Sequence, residues 1–349
     1  GCGFIGSVFI RHLLLDSDFT GRIINVDKLT YAGNPENLAD VASKFPERYV
    51  FLQADICDAE HVTRLAQGMD IVFHLAVFCL RNSLHDPMRS HEVNDTGSLR
   101  VCQAALQNGI EKLVYVSSAE VYGTGLYFPI DEDHPFLPTN VYGAAKAAGE
   151  LYARSYWKTY GLPIVIVRLF NTYGPREHSE GRRAEVIPRF VMRTLAGQRS
   201  LIFGTGAQTR DFTYVDDIVR GIILAAECDE AVGDCVNLAR GQDISVATIC
   251  ELILNKLDRL DLQPLYLQEG RPADIDRMQA NVDKAQKLLR FSADISIEEG
   301  LDTNAQVSDD DRERFKGFIS DVIEEYSKLA CNEVQKAFFL NFEQEIRAL

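Results

Sequence analysis

The sequence predicts an α/β protein: a doubly wound parallel sheet followed by a smaller mixed lobe. Two observations point there. Short β-branched runs alternate with helix-length stretches through the first two-thirds of the chain, and such alternation builds a parallel sheet covered on both faces. From about Val186 the pattern changes to helices broken by short strands, which suits a lobe packed over the first.

The elements follow in order. Residues 22–27 (RIINVD), 50–53, 71–74, 113–117 (LVYVS) and 164–169 (IVIVRL) read as strands. Residues 87–108 and 142–160 read as helices, because apolar residues recur three and four apart. Residues 201–203 and 235–238 read as short strands of the second lobe. The expected division is 1–185, 186–304 and a tail at 305–349. That tail opens on the acidic run 308–311, and Phe315, Phe318, Ile319, Val322, Ile323, Tyr326 and Leu329 then form a helical stripe. Packing or oligomerisation is the expected use of such a stripe.

Composition removes several function classes. Of 349 residues, 36 are Lys or Arg and 51 Asp or Glu, a net charge of −15. A chain this acidic lacks the basic footprint that counterion release from nucleic acid requires, and the same holds for an anionic membrane. No apolar run approaches the roughly 20 residues that span a bilayer, and the start does not read as a signal peptide. The eight cysteines are scattered without a CxxC pair, which reads as reduced thiols in a cytoplasmic protein. No His, Cys and Asp cluster has metal-ligand spacing, so no metal is expected.

The chain opens Gly1-Cys2-Gly3-Phe4-Ile5-Gly6 and runs into the apolar residues Phe9, Ile10, Leu13 and Leu14. That spacing matches a Rossmann-type dinucleotide-binding turn. Gly3 lets the backbone approach a pyrophosphate, Gly6 lets the helix pack closely, and the helix N-terminus offers N–H groups to the phosphates. Asp27 follows Gly6 by 21 residues, where an acid takes the ribose 2′-hydroxyl. A carboxylate there repels a 2′-phosphate, so NAD is expected rather than NADP, although Lys28 adjoins it. A Rossmann unit also needs a strand before the glycine turn, so the chain is read as beginning mid-protein.

Tyr142-Gly-Ala-Ala-Lys146 carries the strongest chemical signal. Residues four apart share a helix face, so the Lys ammonium is expected near the Tyr hydroxyl, lowering its pKa toward that of a usable base. Ser118 precedes Tyr142 by 24 residues at the end of a strand, where α/β sheets bind ligands. It is placed to hydrogen-bond the oxygen that Tyr142 deprotonates.

Together GxGFIG, Asp27, His74-Leu75-Ala76, Ser117-Ser118-Ala119-Glu120-Val121-Tyr122-Gly123 and YxxxK resemble the extended short-chain dehydrogenase/reductases that modify nucleotide sugars. The segments starting at Arg168 (RLFNTYGPR), Gln208 (QTRDF) and Gly270 (GRP) add to the likeness, which covers roughly residues 1–300. The resemblance implies a bound NAD that oxidises a nucleotide-diphosphate sugar at C4 and later returns the hydride. Tyr142 is then the base, Lys146 its partner and ribose ligand, and Ser118 the hydroxyl that orients the sugar. Gly3, Phe4, Ile5, Gly6, Asp27, Asp55, Ile56, Leu75 and Ala76 would line the cofactor. Asn171, Arg210 and Arg271 would hold the diphosphate, unless Arg210 instead pairs with Asp211 or Asp216. His74 would sit under the cofactor, and Tyr122 would pack the wall. Family members commonly form homodimers through the YxxxK helix and the one before it.

The step after C4 oxidation is a choice between residues. The stretch from Asn25 to Asn34 and Ala54-Asp55-Ile56-Cys57-Asp58 resemble dTDP-glucose 4,6-dehydratases near the adenosine. Glu120 has a task in dehydration, since a 4-keto group acidifies the C5 proton and a nearby carboxylate can remove it. Against this, those dehydratases carry an Asp where this chain has Ala119. The loop 77–83 departs from theirs as well. A 4,6-dehydratase is the leading expectation. A 4-epimerase or UDP-glucuronate decarboxylase is the alternative, and a catalytically silent NAD-binding scaffold is the reading from another class.

Overall fold

The computed structural model describes residues 1–178, 184–267 and 275–304. Arg271 and the tail at 305–349, on which expectations were placed, lie outside the described residues.

The first part runs α1 (Phe4–Arg11), β1 (Ile23–Asp27), α2 (Ala39–Lys44), β2 (Tyr49–Gln53), α3 (Ala59–Leu65) and β3 (Ile71–His74). It continues through α4 (Leu80–Ser83), α5 (Pro87–Ser90), α6 (Ser98–Asn108), β4 (Lys112–Ser118), α7 (Val141–Tyr160) and β5 (Ile164–Leu169). Then come β6 (Asn171–Tyr173), α8 (Val186–Leu195), β7 (Leu201–Phe203), β8 (Thr209–Tyr214) and α9 (Val215–Glu227). The last elements are β9 (Cys235–Leu238), β10 (Asp243–Ser245), α10 (Val246–Lys256), β11 (Leu265–Leu267) and α11 (Ile297–Asn304). The helix expected over 87–108 is continuous in path but widens to π-type turns at His91–Gly97.

The parallel strands form two ladders, β1–β2 and β3–β4–β5–β9. Both faces of the larger one are covered, and the alternation of side chains divides it cleanly. Val114, Val116, Val165 and Val167 pack with Val8, Phe9 and the α9 residues Ile218 and Ile222. Leu113, Tyr115, Ile164 and Ile166 pack with Val101, Ala105 and Ala153. Two-sided burial is why these strands read as unbroken apolar runs. The sheet is thus the expected doubly wound α/β layer.

The second lobe holds β6–β8 in parallel, β10 antiparallel to β8, and β7 parallel to β11. It does not take all of 186–304. Residues 235–238, expected in this lobe, instead add β9 to the edge of β5, and α9 covers β4 and β5. A four-residue apolar strand can pair in either sheet; only the long-range ladder decides, and local sequence does not carry it.

One residue violates the apolar run of β5. Arg168 is 1% exposed, and it survives there because Glu150 of α7, itself 0% exposed, faces it. Arg168 Nη2 donates to Glu150 Oε1 at 2.6 Å and Nε donates to Oε2 at 3.1 Å. Removing one member of a buried pair leaves the other uncompensated. Arg168→Met is therefore expected to cost about 3 kcal/mol, read from urea unfolding, and an unchanged midpoint would contradict the anchoring role.

Candidate active site

The site is organised by the first turns of α7. Asn140 caps the helix, its Oδ1 accepting the Gly143 N–H at 2.8 Å, as an N-terminal donor requires. The same side chain donates through Nδ2 to Glu120 Oε2 at 2.8 Å. One asparagine thus starts the helix and orients the acid. Gly143 permits the close approach: a Cβ there would lie 2.4 Å from the Glu120 carbonyl oxygen. The signal for Asn140 was its place just before the helical periodicity, although nothing local tied it to Glu120.

Tyr142 faces the Ser118 hydroxyl at the C-terminal end of β4. Lys146, 3% exposed, lies deeper along the same strand. Its Nζ donates to the Val116 carbonyl at 2.7 Å and stands 4.6 Å from the centre of the Tyr115 ring. Both side chains therefore leave α7 toward β4. The electrostatics differ from expectation. Burial holds the Tyr142 phenol above its ordinary pKa; the Ser118 hydrogen bond offsets this in part, and the Glu120 charge adds to it. The expected lowering of that pKa is absent, because a buried phenolate is costly and the ammonium is engaged on Val116. Burial also pulls Lys146 down to about 8, against the opposing charge of Glu150 one turn on.

Around this pair the polar groups are tied. Tyr122, fully buried, accepts from Arg168 Nη1 at 2.7 Å and donates to Asn237 Oδ1 at 2.6 Å, so its hydroxyl is committed to the interior. His74 Nε2 meets Ser98 Oγ at 2.9 Å. Burial, then the charge of Lys146, takes its pKa to about 3, leaving it neutral. Among the described residues no group of three His, Cys, Asp or Glu is placed to hold a metal ion.

The dinucleotide turn can be tested for fit. Gly3 is the N-cap of α1 with no side-chain cap, so Phe4, Ile5 and Gly6 present first-turn N–H groups that suit a phosphate. A Cβ on Gly3 would meet only the Ala32 carbonyl oxygen at 3.4 Å, so the glycine leaves a cradle that a side chain would fill. Gly6 is needed for packing, since a Cβ there would come within 2.8 Å of Gly1. Asp27 ends β1 and accepts the Cys2 and Leu29 N–H groups, both at 2.8 Å. Lys28 is drawn off to Asp55 at 2.5 Å. Asp55 also takes Arg89 at 3.0 Å, so it serves an ion-pair cluster at the end of β2. Ile56 packs against Gly97. Leu75 is half-buried and Ala76 exposed, just beyond β3.

On the other side, Asn171 opens β6, opposite Phe212 of β8. Arg210 lies on β8, and its Nη1 donates to the Thr209 and Ile275 carbonyls at 2.8 and 2.6 Å. Asp211 accepts the backbone N–H groups of Arg240, Gly241 and Ala280. Arg81, on α4, reaches Glu185 before α8 at 3.1 Å.

Residues 1–304 match the GDP-mannose 4,6 dehydratase family. The chain belongs to that family. It is an extended short-chain dehydrogenase/reductase of the nucleotide-sugar dehydratase and epimerase kind, as the motifs implied. The chain is 36% identical over 258 residues to the dTDP-D-glucose 4,6-dehydratase of Mus musculus, covering 73% of this chain and 70% of that one. It is similar in structure to a dTDP-glucose 4,6-dehydratase from Streptomyces venezuelae with NAD bound, at a TM-score of 0.80 and 31% identity, covering 87% and 93%. It is equally similar to a UDP-glucose 4-epimerase of Thermotoga maritima, at 0.81 and 30%, covering 90% and 96%. Residues 278–349 also match the PrkA serine protein kinase C-terminal domain.

The buried ammonium makes a pH prediction. The folded pKa of Lys146 is about 8 against an ordinary 10.5, so between those values the unfolded chain binds more protons and stability rises with pH. Urea unfolding across that window is expected to show wild type gaining stability relative to Lys146→Met. Parallel curves would contradict a buried, depressed lysine.

Proposed function

We propose that this protein is an NAD-dependent enzyme that oxidises a nucleotide-diphosphate sugar at C4, with 4,6-dehydration as the net reaction. The observation that carries the reading is Tyr142 facing Ser118 above buried Lys146, with Glu120 held alongside by Asn140. NAD supplies the hydride acceptor at C4. The first turn of α1 and Gly3 hold its pyrophosphate. Asp27 takes the ribose, and Lys28 is committed to Asp55, which favours NAD over a 2′-phosphorylated cofactor. Asn171, Arg210 and Arg271 take the substrate diphosphate.

Tyr142 removes the C4 hydroxyl proton while Ser118 holds that oxygen in line. A phenol kept above its ordinary pKa gives up its proton only with a cation near, and Lys146 is the buried cation on the same helix face. Glu120 then takes the C5 proton, which the 4-keto group has made acidic. Hydroxide leaves C6, the hydride first taken from C4 returns to C6 and a solvent proton enters at C5, so that the net loss is one water. The hydrogen bond from Asn140 fixes the Glu120 carboxylate in position.

A second reading, 4-epimerisation, draws on Ala119. That residue is 2% exposed and has no proton to give to a departing C6 hydroxide, and the epimerase relative is as similar in structure as the dehydratase. We also infer a homodimer through α7, where Leu151, Tyr152 and Tyr160 are exposed on its length. Leu151→Glu is expected to yield a monomer by light scattering, and an unchanged mass would refute that face. The seven described cysteines are free, in keeping with a reducing compartment such as the cytoplasm. No described helix is long and apolar enough to cross a membrane.

The test of the reaction is product analysis in deuterated water, with NAD and a panel of nucleotide hexoses. Dehydration gives a product lighter by one water that carries carbon-bound deuterium. An isomer of unchanged mass without carbon-bound deuterium would identify an epimerase instead. Tyr142→Phe is expected to slow turnover by roughly 10²–10⁴-fold.

A further inference from the structure

The loop after β1 and the turn after β6 touch through two aromatic rings that the reaction above does not use. On the first side, Asp27 Oδ1 accepts the Leu29 N–H at 2.8 Å, and the Gly33 N–H donates to the Thr30 carbonyl at 3.0 Å. Residues 30–33 thus form a β-turn with Tyr31 at its corner. That turn lies against the phosphate cradle. The Asn34 N–H donates to the Cys2 carbonyl at 3.2 Å, and Asn37 Nδ2 donates to the same oxygen at 3.0 Å. The Ala32 carbonyl oxygen, next along the chain from Tyr31, is the atom that a Cβ on Gly3 would meet.

On the second side, the Glu177 N–H donates to the Gly174 carbonyl at 3.2 Å, closing a turn whose third residue, Arg176, has φ of 68°. Proline followed by a positive φ is the type II pattern, and this turn delivers His178 to the first loop. The Tyr31 and His178 rings meet edge to face, with centroids 5.1 Å apart and planes at 87°, a favoured geometry for aromatic pairs. The turn is anchored again beyond His178. The Glu185 N–H donates to the His178 carbonyl at 3.3 Å, and the Glu185 carboxylate is paired with Arg81 of α4. Tyr31 follows β1 of the small ladder, Arg81 follows β3 of the larger one, and His178 follows β6 of the second lobe. These contacts therefore join three parts of the fold beyond the C-terminal ends of the strands, where such sheets bind their ligands.

The chemistry gives such a bridge a use. Hydride taken from C4 is given back to the sugar within the same turnover, in dehydration and in epimerisation alike. NAD is regenerated in place, and its release serves no step. We propose that Tyr31 and His178 form a strap across the NAD cleft, whose ring contact must open for the dinucleotide to enter or leave. This rests on the cofactor placement given above and adds to it how the cofactor is kept.

The test follows NADH exchange on the full chain by stopped-flow fluorescence, with loading read on mixing and release read on a chase with excess NAD. Tyr31→Ala and His178→Ala are each expected to raise both rates about three- to tenfold. The Kd should stay within about twofold of wild type, because a strap is crossed in both directions. Tyr31→Phe keeps the ring and should exchange within about twofold of wild type. The double variant Tyr31→Ala/His178→Ala should be no faster than either single one, as coupled partners require. Both residues are only partly buried, so each variant is expected to keep the wild-type urea midpoint.

Unchanged exchange in both single variants overturns the strap. Faster release with unchanged loading overturns it too, since that marks a direct ligand of NAD rather than a barrier. Gly3→Val separates the strap from the placement beneath it, because filling the cradle should abolish NADH binding. If Gly3→Val binds NADH as wild type does, or wild type binds none, the cofactor placement fails and takes the strap with it.

Discussion

The geometry of this site depends on one buried ion pair. Arg168 in β5 and Glu150 in α7 meet through two hydrogen bonds with both side chains out of water, and Arg154 adds a third donor group at 2.9 Å. A pair of this kind contributes little net stability, yet either partner alone is costly to bury. The consequence is directional. Helix α7 can settle on the sheet only where Glu150 reaches Arg168, and that setting points the same helix face, two turns earlier, at the end of β4. Tyr142 and Lys146 then meet Ser118 and Val116 without any interaction that would have to recruit them individually.

The pair also reaches sideways. Arg168 bonds Tyr122, Tyr122 bonds Asn237, and the Asn237 side chain donates to the Ile130 carbonyl. A sheet residue, the turn after β4 and strand β9 are thereby joined in one hydrogen-bonded network. Strand β9 pairs with β5 in the larger sheet, so the network ties the edge of that sheet to α7 through Arg168 and Glu150. A polar network fully satisfied in this way favours a single arrangement over sliding alternatives.

Much of this was legible in the sequence, and the failures have physical causes. Strands 71–74, 164–169, 201–203 and 235–238 have the expected bounds, because β-branched runs between turns leave little choice. The placement of 235–238 was not legible, since pairing with β5 is a long-range event. The motif spacing brought Tyr142 to Ser118, but burial, which no spacing reveals, set the phenol pKa in the opposite direction. Glu150 looked like any acid on an amphipathic helix. Only Arg168 inside an apolar strand asked for a partner, and the sequence does not say which acid answers.

A tension remains between stability and chemistry, and it is the physical content of the proposed mechanism. The fold keeps Tyr142 protonated and pulls Lys146 toward neutrality, since burial disfavours both charges. Sugar oxidation needs the opposite pair, phenolate beside ammonium, at the moment hydride leaves C4. The measurement that tests this most directly is stopped-flow absorbance of reduced nicotinamide after mixing the NAD-loaded chain with a nucleotide hexose. Transient reduced nicotinamide is expected in wild type and should be lost in both Tyr142→Phe and Lys146→Met. A transient of equal rate and size in either variant would contradict a phenol and ammonium acting together.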